Sequence, residues 1–466
     1  MNNEKKKFDL IVIGAGPAGY VAALRASQLG IKNICVVEKD RPGGVCLNWG
    51  CIPSKSLIHS AETFDSRKDL EKMGVKIDIT GFNFGSVYKQ SRKVTDILSR
   101  GVAFLLKKNN ITLIQKEFKF VSDYELESED GEKITAEKII IASGAVPRSI
   151  PNVDIDEDLI ISSKGALSLT TLPSKVLIVG SGAIGVEFAF IWNSFGVEVH
   201  IVEIMENILP MEDEESALLI RNLFEKKGIK IFTKASIDKI EKNGNKSSVS
   251  ITANDGTKIM EEYEKILIAT GRKASTEALG IENTSIQLEK GFIKVNERFM
   301  TNVAGIYAIG DVINTLQLAH VGSREGELAA EYISGKKDIH AIDYNFVPKC
   351  IYCQPEVASF GFTEKQLKAN NVSYRKVNFP YRINGKSVSS ESTNGFVKVL
   401  YEENKKNILG AHVAGHNATE IIHELLLIKE ANIAPQKAGN IIHAHPTLSE
   451  MIMESMKMIE GCAVNV

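Results

Sequence analysis

The chain has 466 residues, 44% hydrophobic and 24% charged, with 56 Lys plus Arg against 58 Asp plus Glu. This balance leaves no basic footprint for nucleic acid or a membrane surface, and no apolar run approaches the ~20 residues that span a bilayer. Six Cys in so long a chain do not make a disulfide scaffold, so the expected compartment is the reducing cytoplasm.

The charged start Met1-Asn-Asn-Glu-Lys-Lys-Lys7 lacks the apolar core and cleavage site of a signal peptide. It leads into Phe8-Asp-Leu-Ile-Val-Ile-Gly14, a short apolar run that fits a strand buried on both faces of a parallel sheet. In the following Gly14-Ala-Gly16-Pro-Ala-Gly19, Gly14 permits a tight turn, Gly16 lets backbone approach a pyrophosphate, and Gly19 lets strand and helix pack closely. A helix beginning near Pro17 points its amides at the phosphates. Glu38 ends the next strand roughly twenty residues on, where an acid can bind a ribose hydroxyl pair.

Next comes Gly43-Gly-Val-Cys46-Leu-Asn-Trp-Gly-Cys51-Ile-Pro-Ser-Lys55. Residues five apart on a regular helix are separated by ~7.5 Å of rise. A disulfide tolerates only roughly 4.4–6.8 Å between Cα atoms, so a Cys46–Cys51 bridge requires an irregular turn, for which Gly50 and Pro53 are available. Such a bridge beside a helix start is the labile, catalytic kind. Two buried thiols, or half of a zinc site, would leave the glycines and Lys55 unexplained.

The opening pattern then repeats. Lys175-Val-Leu-Ile-Val-Gly180 leads into Gly180-Ser-Gly182-Ala-Ile-Gly185, and Glu203 ends the following strand. Lys138-Ile-Ile-Ile-Ala-Ser-Gly144 is likewise echoed by Lys265-Ile-Leu-Ile-Ala-Thr-Gly271. These are two nucleotide-binding units, one inserted after the other. Glu203 accepts from the 2′-hydroxyl of NAD and would repel the 2′-phosphate of NADP, and no Arg cluster follows it. The motif level returns at Thr301-Asn-Val-Ala-Gly-Ile-Tyr-Ala-Ile-Gly310-Asp311.

Beyond about Asn345, strand-like segments (Val357–Gly361, Gly395–Leu400, Ile408–Ala414) mix with helices (Ala418–Ala431, Thr447–Met458), a separate α+β pattern. There Ile441-Ile-His443-Ala-His445-Pro446-Thr-Leu-Ser-Glu450 places His445 before proline, away from helical geometry, with Thr447 and Glu450 at capping-box spacing. A helix presenting Glu450 to the His445 imidazole would fix its tautomer and leave the other nitrogen to take a thiol proton. Cys350-Ile-Tyr-Cys353 reads as packing, Cys35 as core, and Cys462 has no vicinal partner.

The cysteine stretch resembles the redox-active disulfide motif of the pyridine nucleotide–disulfide oxidoreductases, with wording closer to the dihydrolipoyl dehydrogenases than to the glutathione reductases. The resemblance runs from about Phe8 to Glu460. It implies an α/β fold with two Rossmann-like dinucleotide-binding domains: FAD at 1–148 with the redox disulfide, and NAD at 149–276. A central segment at 277–346 returns to the FAD site, and a C-terminal α+β dimerisation domain occupies 347–466.

The implied function is oxidation of protein-bound dihydrolipoamide with reduction of NAD, as the flavoprotein shared by 2-oxo acid dehydrogenase and glycine cleavage complexes. The implied partners are a second copy, completing the site across the interface, and the lipoyl domains of acyltransferase subunits. Cys46 would be the interchange thiol and Cys51 the thiol against the flavin. Lys55 would pair with Glu187 near the flavin, and His445 with Glu450 would be the acid–base pair donated by the other subunit. Tightly bound, non-covalent FAD would contact Gly14, Gly16, Gly19, Glu38, Lys55, Ser143, Gly144, Asp311 and Ala319. NAD would contact Gly180, Gly182, Gly185, Glu203 and Gly271. No metal site is expected. The alternatives are another NAD(P)H-dependent disulfide reductase, or a structural role within a multienzyme complex. One departure from the family pattern is Lys116-Glu-Phe118, where members often carry glycines.

Overall fold

The computed structural model describes residues 5–465; Met1 to Glu4 of the charged N-terminal stretch, and Val466, lie outside the described residues. The first apolar run becomes the strand Lys6–Ile13, flanked in parallel by Ile34–Val37 on one side and Lys133–Ile141 on the other. Where they are buried on both faces, at Leu10–Ile13, Ile34–Val37 and Ile139–Ile141, these strands carry Leu, Ile and Val at nearly every position. The full order is Thr112–Ile114, Ile34–Val37, Lys6–Ile13, Lys133–Ile141, Glu125–Ser128, Phe118–Ser122, and a seventh strand, Ile306–Ala308, lies parallel to Lys133–Ile141 with Ile306 beside Ile139. The chain thus returns to its first sheet after a long excursion. The helix that follows, Ala319–Ile333, packs on Pro17–Gln28 through small residues: a Cβ at Gly326 would lie 2.5 Å from the Ala18 carbonyl oxygen.

The second sheet repeats the first. Lys230–Phe232, Glu198–Val202, Lys175–Val179 and Lys265–Ile268 follow the same spatial order as the four parallel strands of the first copy, and Ile160–Ile161 is added at the edge. Each copy carries an antiparallel excursion before its last strand; in the second it is the three-stranded sheet Ser236–Asn243, Lys246–Thr252 and Lys258–Tyr263. Duplication is therefore visible in topology as well as in the glycine motifs.

The C-terminal segment builds a five-stranded antiparallel sheet from Lys349–Ile351, Glu356–Gly361, Ile408–Gly415, Phe396–Tyr401 and Arg375–Pro380. Helices Ala418–Glu430 and Glu450–Ile459 cover it, with Phe360, Val413, Ile422, Met451 and Ile452 in the shared core. The last helix begins at Glu450, three residues later than its sequence pattern predicts.

A buried ionic cluster joins this sheet to the second unit. Lys398 is 1% exposed and reaches Asp213 at 2.9 Å, Glu215 at 3.0 Å and Glu364 at 2.5 Å. Asp213 also caps helix Glu214–Lys226 by accepting from the Glu215 amide. Removing one member of a buried ionic set leaves the others uncompensated, so Lys398→Met is expected to destabilise the fold by about 3–5 kcal/mol. Urea unfolding would read this as a lower midpoint; an unchanged midpoint would show that the cluster contributes nothing.

Candidate active site

Both glycine loops have the same construction. Gly14 and Gly180 sit at φ +103 and +96, and a Cβ would fall 2.4 and 2.6 Å from the carbonyl oxygens of Ala142 and Ala269. The third glycines, Gly19 and Gly185, touch the loop backbone even more closely. The middle glycines differ. At Gly16 an added Cβ would meet only the Gly44 Cα at 3.9 Å, and at Gly182 nothing within 4 Å. Packing therefore does not demand glycine at either position. Each opens a cradle before a helix, Pro17–Gln28 or Ala183–Ser194, whose N-terminus has no side-chain cap. Uncapped amides beside an open, glycine-lined turn fit a dinucleotide pyrophosphate.

The two acids do more than their sequence position suggests. Glu38 accepts from the Ala15 amide at 2.8 Å and the Asp40 amide at 2.9 Å. Glu203 accepts from the Ser181 amide at 2.8 Å, the Ser181 hydroxyl at 2.6 Å and the Met205 amide at 2.9 Å. Each carboxylate thus latches its own glycine loop to the end of the second strand. Burial pushes the Glu38 carboxyl up, against the two amides that favour its charged form.

The cysteines lie on two helices, Gly44–Trp49 and Cys51–Asp65, broken at Gly50, whose backbone (φ −152, ψ −113) is non-helical. Pro53 does not make this turn. It lies inside the first turn of the second helix, where a missing amide hydrogen costs nothing. The two free thiols are hydrogen-bonded to each other. Cys46 donates to Cys51, and that hydrogen bond, with Lys55 nearby, lowers the Cys51 thiol to about 7 against the opposing effect of burial. The same hydrogen bond, reinforced by burial, raises Cys46.

Lys55 donates to both carboxylate oxygens of Glu187, each at 2.8 Å, across the junction between the first and second units. Glu187 is 6% exposed. The Ser143 hydroxyl turns away from solvent to donate to the Ser275 carbonyl at 2.9 Å, and the neighbouring Gly144 has φ +75. Asp311 sits in the short turn Gly310–Val312, 3.6 Å from Arg272 Nε, and burial raises its carboxyl despite that guanidinium. Ala319 starts the helix Ala319–Ile333, and Gly271 (φ +107) faces Arg148. Lys116, at the departure from the family pattern, pairs with Asp130 and Glu132.

His445 pairs through Nδ1 with Glu450 Oε1 at 2.9 Å, which leaves Nε2 facing outward. Glu450 Oε2 accepts from the Thr447 amide at 2.8 Å. Burial alone would raise the Glu450 carboxyl, but the Thr447 amide and His445 hold it below the usual range. The expected capping box is only half formed. Ser449 is the N-cap, and the Thr447 hydroxyl donates back to the Ala444 carbonyl instead of capping the helix. The His445 side chain is 76% exposed, and its ion-pair partner is Glu450, on the C-terminal unit. The single chain thus unites Cys46, Cys51, Lys55 and Glu187, and separately His445 and Glu450. His443, by contrast, is held inside the fold, with Nε2 on Glu424 at 2.7 Å and Nδ1 on the Ile441 carbonyl at 2.9 Å.

Three further residues make contacts that lie beyond any local sequence signal. Glu325, fully buried, accepts from the Gly310 amide (2.6 Å), the Thr315 hydroxyl (2.9 Å) and the Tyr344 hydroxyl (2.8 Å), clasping the turn that carries Asp311. Arg272 reaches Asp311 from the second unit, and Tyr352 reaches Glu187 from the C-terminal sheet. Two of the remaining thiols, Cys350 and Cys353, flank Tyr352. Cys353 is buried and donates to the Pro355 carbonyl, while burial pushes Cys350 and Cys35 up to about 12. Among the described residues, no group of three or more His, Cys, Asp or Glu side chains could hold a metal ion, and no helix is long and apolar enough to cross a membrane.

Comparison with known proteins agrees with this architecture. Residues 8–326 match the family described as pyridine nucleotide-disulphide oxidoreductase, and residues 347–456 match its dimerisation domain. Dihydrolipoyl dehydrogenase of Bacillus subtilis is 38% identical over 472 residues, covering 98% of this chain and 99% of its own. The Corynebacterium glutamicum enzyme of the same name is 39% identical over 470 residues, with the same coverage. Leghemoglobin reductase of Vigna unguiculata is 37% identical over 96% of this chain and 86% of its own. Among solved structures, LpdA of Mycobacterium tuberculosis superposes with a TM-score of 0.88 at 25% identity, covering 97% of this chain and 99% of that one.

The dimerisation match agrees with exposed apolar side chains on the C-terminal unit, Ile442 at 96% and Leu427 at 62%, and the protein is a homodimer. Family models spanning nearly the whole chain, with relatives close to 40% identical along their full length, place it plainly: the chain belongs to the pyridine nucleotide-disulphide oxidoreductases, as a flavoenzyme that uses FAD and NAD.

Proposed function

We propose that this protein oxidises dihydrolipoamide to lipoamide and reduces NAD. The observation that carries the reading is the thiol pair astride Gly50 beside Lys55–Glu187, in a chain similar over its full length to enzymes named dihydrolipoyl dehydrogenase. FAD belongs on the Gly14 loop, NAD on the Gly180 loop, and the lipoyl group arrives on the acyltransferase partner in the cytoplasm.

His445 Nε2 takes a proton from a substrate thiol, with Glu450 on Nδ1 stabilising the imidazolium. The substrate thiolate attacks Cys46 Sγ of the Cys46–Cys51 disulfide, forming a mixed disulfide and releasing Cys51 as thiolate. The second substrate thiolate then closes the lipoamide ring and frees Cys46, which takes up a proton. Lys55 steadies the negative charge left on Cys51. Bound FAD and NAD supply the path by which the electron pair leaves the dithiol, restoring the disulfide.

The test is NADH formation from dihydrolipoamide plus NAD, with NADP in parallel. The expected result is rapid turnover at least about 100-fold selective for NAD, because Glu203 meets the 2′-phosphate with like charge. No turnover by FAD-loaded dimer would discard lipoamide as the substrate, and equal use of NADP would discard the role of Glu203.

A further inference from the structure

Tyr352 follows the strand Lys349–Ile351 at the edge of the C-terminal sheet, yet it reaches residues of both other units. Its amide donates to Glu187 Oε1 at 3.1 Å. Its ring lies under the Lys55 ammonium, with Nζ 4.4 Å from the ring centroid. One residue therefore holds both halves of the Lys55–Glu187 pair, the carboxylate through its backbone and the ammonium through its π face. Its hydroxyl points back toward its own strand, in hydrogen-bonding reach of Cys350.

Lys55 has few other ways to be fixed. Its side chain is 32% exposed, and a flexible four-carbon stem bound only by a carboxylate can swing away from it toward water. A ring face beneath the ammonium opposes that swing and favours the cation in place. We propose that Tyr352 is a positioning residue for the redox centre, its ring holding the Lys55 ammonium beside Cys51. The inference rests on the reading of Cys51, Lys55 and Glu187 given above. The ionisable groups that face Cys51 are Cys46, Lys55 and Glu187; Lys55 favours its thiolate and Glu187 opposes it. A Lys55 that drifts away would therefore leave Cys51 harder to ionise.

The experiment uses the FAD-loaded dimer, its disulfide reduced with a phosphine, and titrates Cys51 against pH by the visible charge-transfer absorbance of its thiolate against the oxidised flavin. Tyr352→Leu keeps the amide and removes the ring, and is expected to raise the Cys51 midpoint by about half to one pH unit. Tyr352→Phe keeps the ring and is expected to track the unsubstituted protein. Lys55→Met serves as the reference for complete loss of the charge. A Tyr352→Leu midpoint that does not move, alongside a raised Lys55→Met midpoint, overturns the inference about Tyr352 alone. An unmoved Lys55→Met midpoint overturns the underlying reading of Lys55 instead. If Tyr352→Phe shifts as far as Tyr352→Leu, the hydroxyl and not the ring is responsible, and the inference also fails.

Discussion

Serine in place of Cys46 or Cys51 is expected to lower dihydrolipoamide turnover by more than about 1,000-fold, while the purified protein stays yellow. The substitution exchanges one sulfur for oxygen. The pair then has no disulfide for a substrate thiolate to attack, and no rearrangement of neighbours restores one. Little else should change, because the helix break at Gly50 is a backbone feature and the Gly14 cradle is built without either thiol. Anaerobic NADH should still bleach the flavin in both variants, since that half of the reaction does not pass through the cysteines. Ordinary dihydrolipoamide turnover in either variant would remove the thiol pair from the mechanism. Loss of colour would show instead that the thiols hold the cofactor site together.

The second large effect concerns His445. His445→Gln removes the proposed proton acceptor and is expected to cost about 100- to 10,000-fold in the thiol half-reaction. Its placement also determines a sharper measurement. The ring is largely exposed and bonded to Glu450 on the C-terminal unit, while the thiols lie on helices Gly44–Trp49 and Cys51–Asp65 of the first unit. If each dyad serves the partner's thiols, a mixed dimer of Cys46→Ser and His445→Gln chains has one site with both lesions and one with neither. Equal mixing should then restore about a quarter of full activity, because half the dimers are mixed and each has one intact site. If the dyad serves its own chain, every site in the mixture carries a lesion and the mixture stays inactive.

The sequence made the local features legible. Strand, glycine loop, helix and acid lie within some thirty residues of one another, and their order reports a single packing solution that recurs in the second sheet. The non-helical link between Cys46 and Cys51 was also readable, since regular helix geometry excludes a bridge there. What escaped the sequence was contact between distant segments. The sequence points to Glu38 and Glu203 as ribose ligands, whereas the structure shows each latching its own glycine loop. Glu325, Tyr352 and Lys398 carry no motif, and their partners lie on other elements chosen by topology. The Thr447 box forms only in half, for a different reason. Its spacing was correct, but the backbone around Pro446 is not helical, so the Thr447 hydroxyl found the Ala444 carbonyl and the helix began at Glu450.

The late strand Ile306–Ala308 bears on the order of synthesis. All strands of the second parallel sheet lie between residues 160 and 268, whereas the first sheet waits for its seventh strand and for helix Ala319–Ile333. A ribosome adding about 5–20 residues per second therefore releases a complete second unit several seconds before the first can close around Asp311. In a growing chain the later glycine-loop unit is finished first, and the turn that carries Asp311 is among the last features that translation completes before the C-terminal sheet.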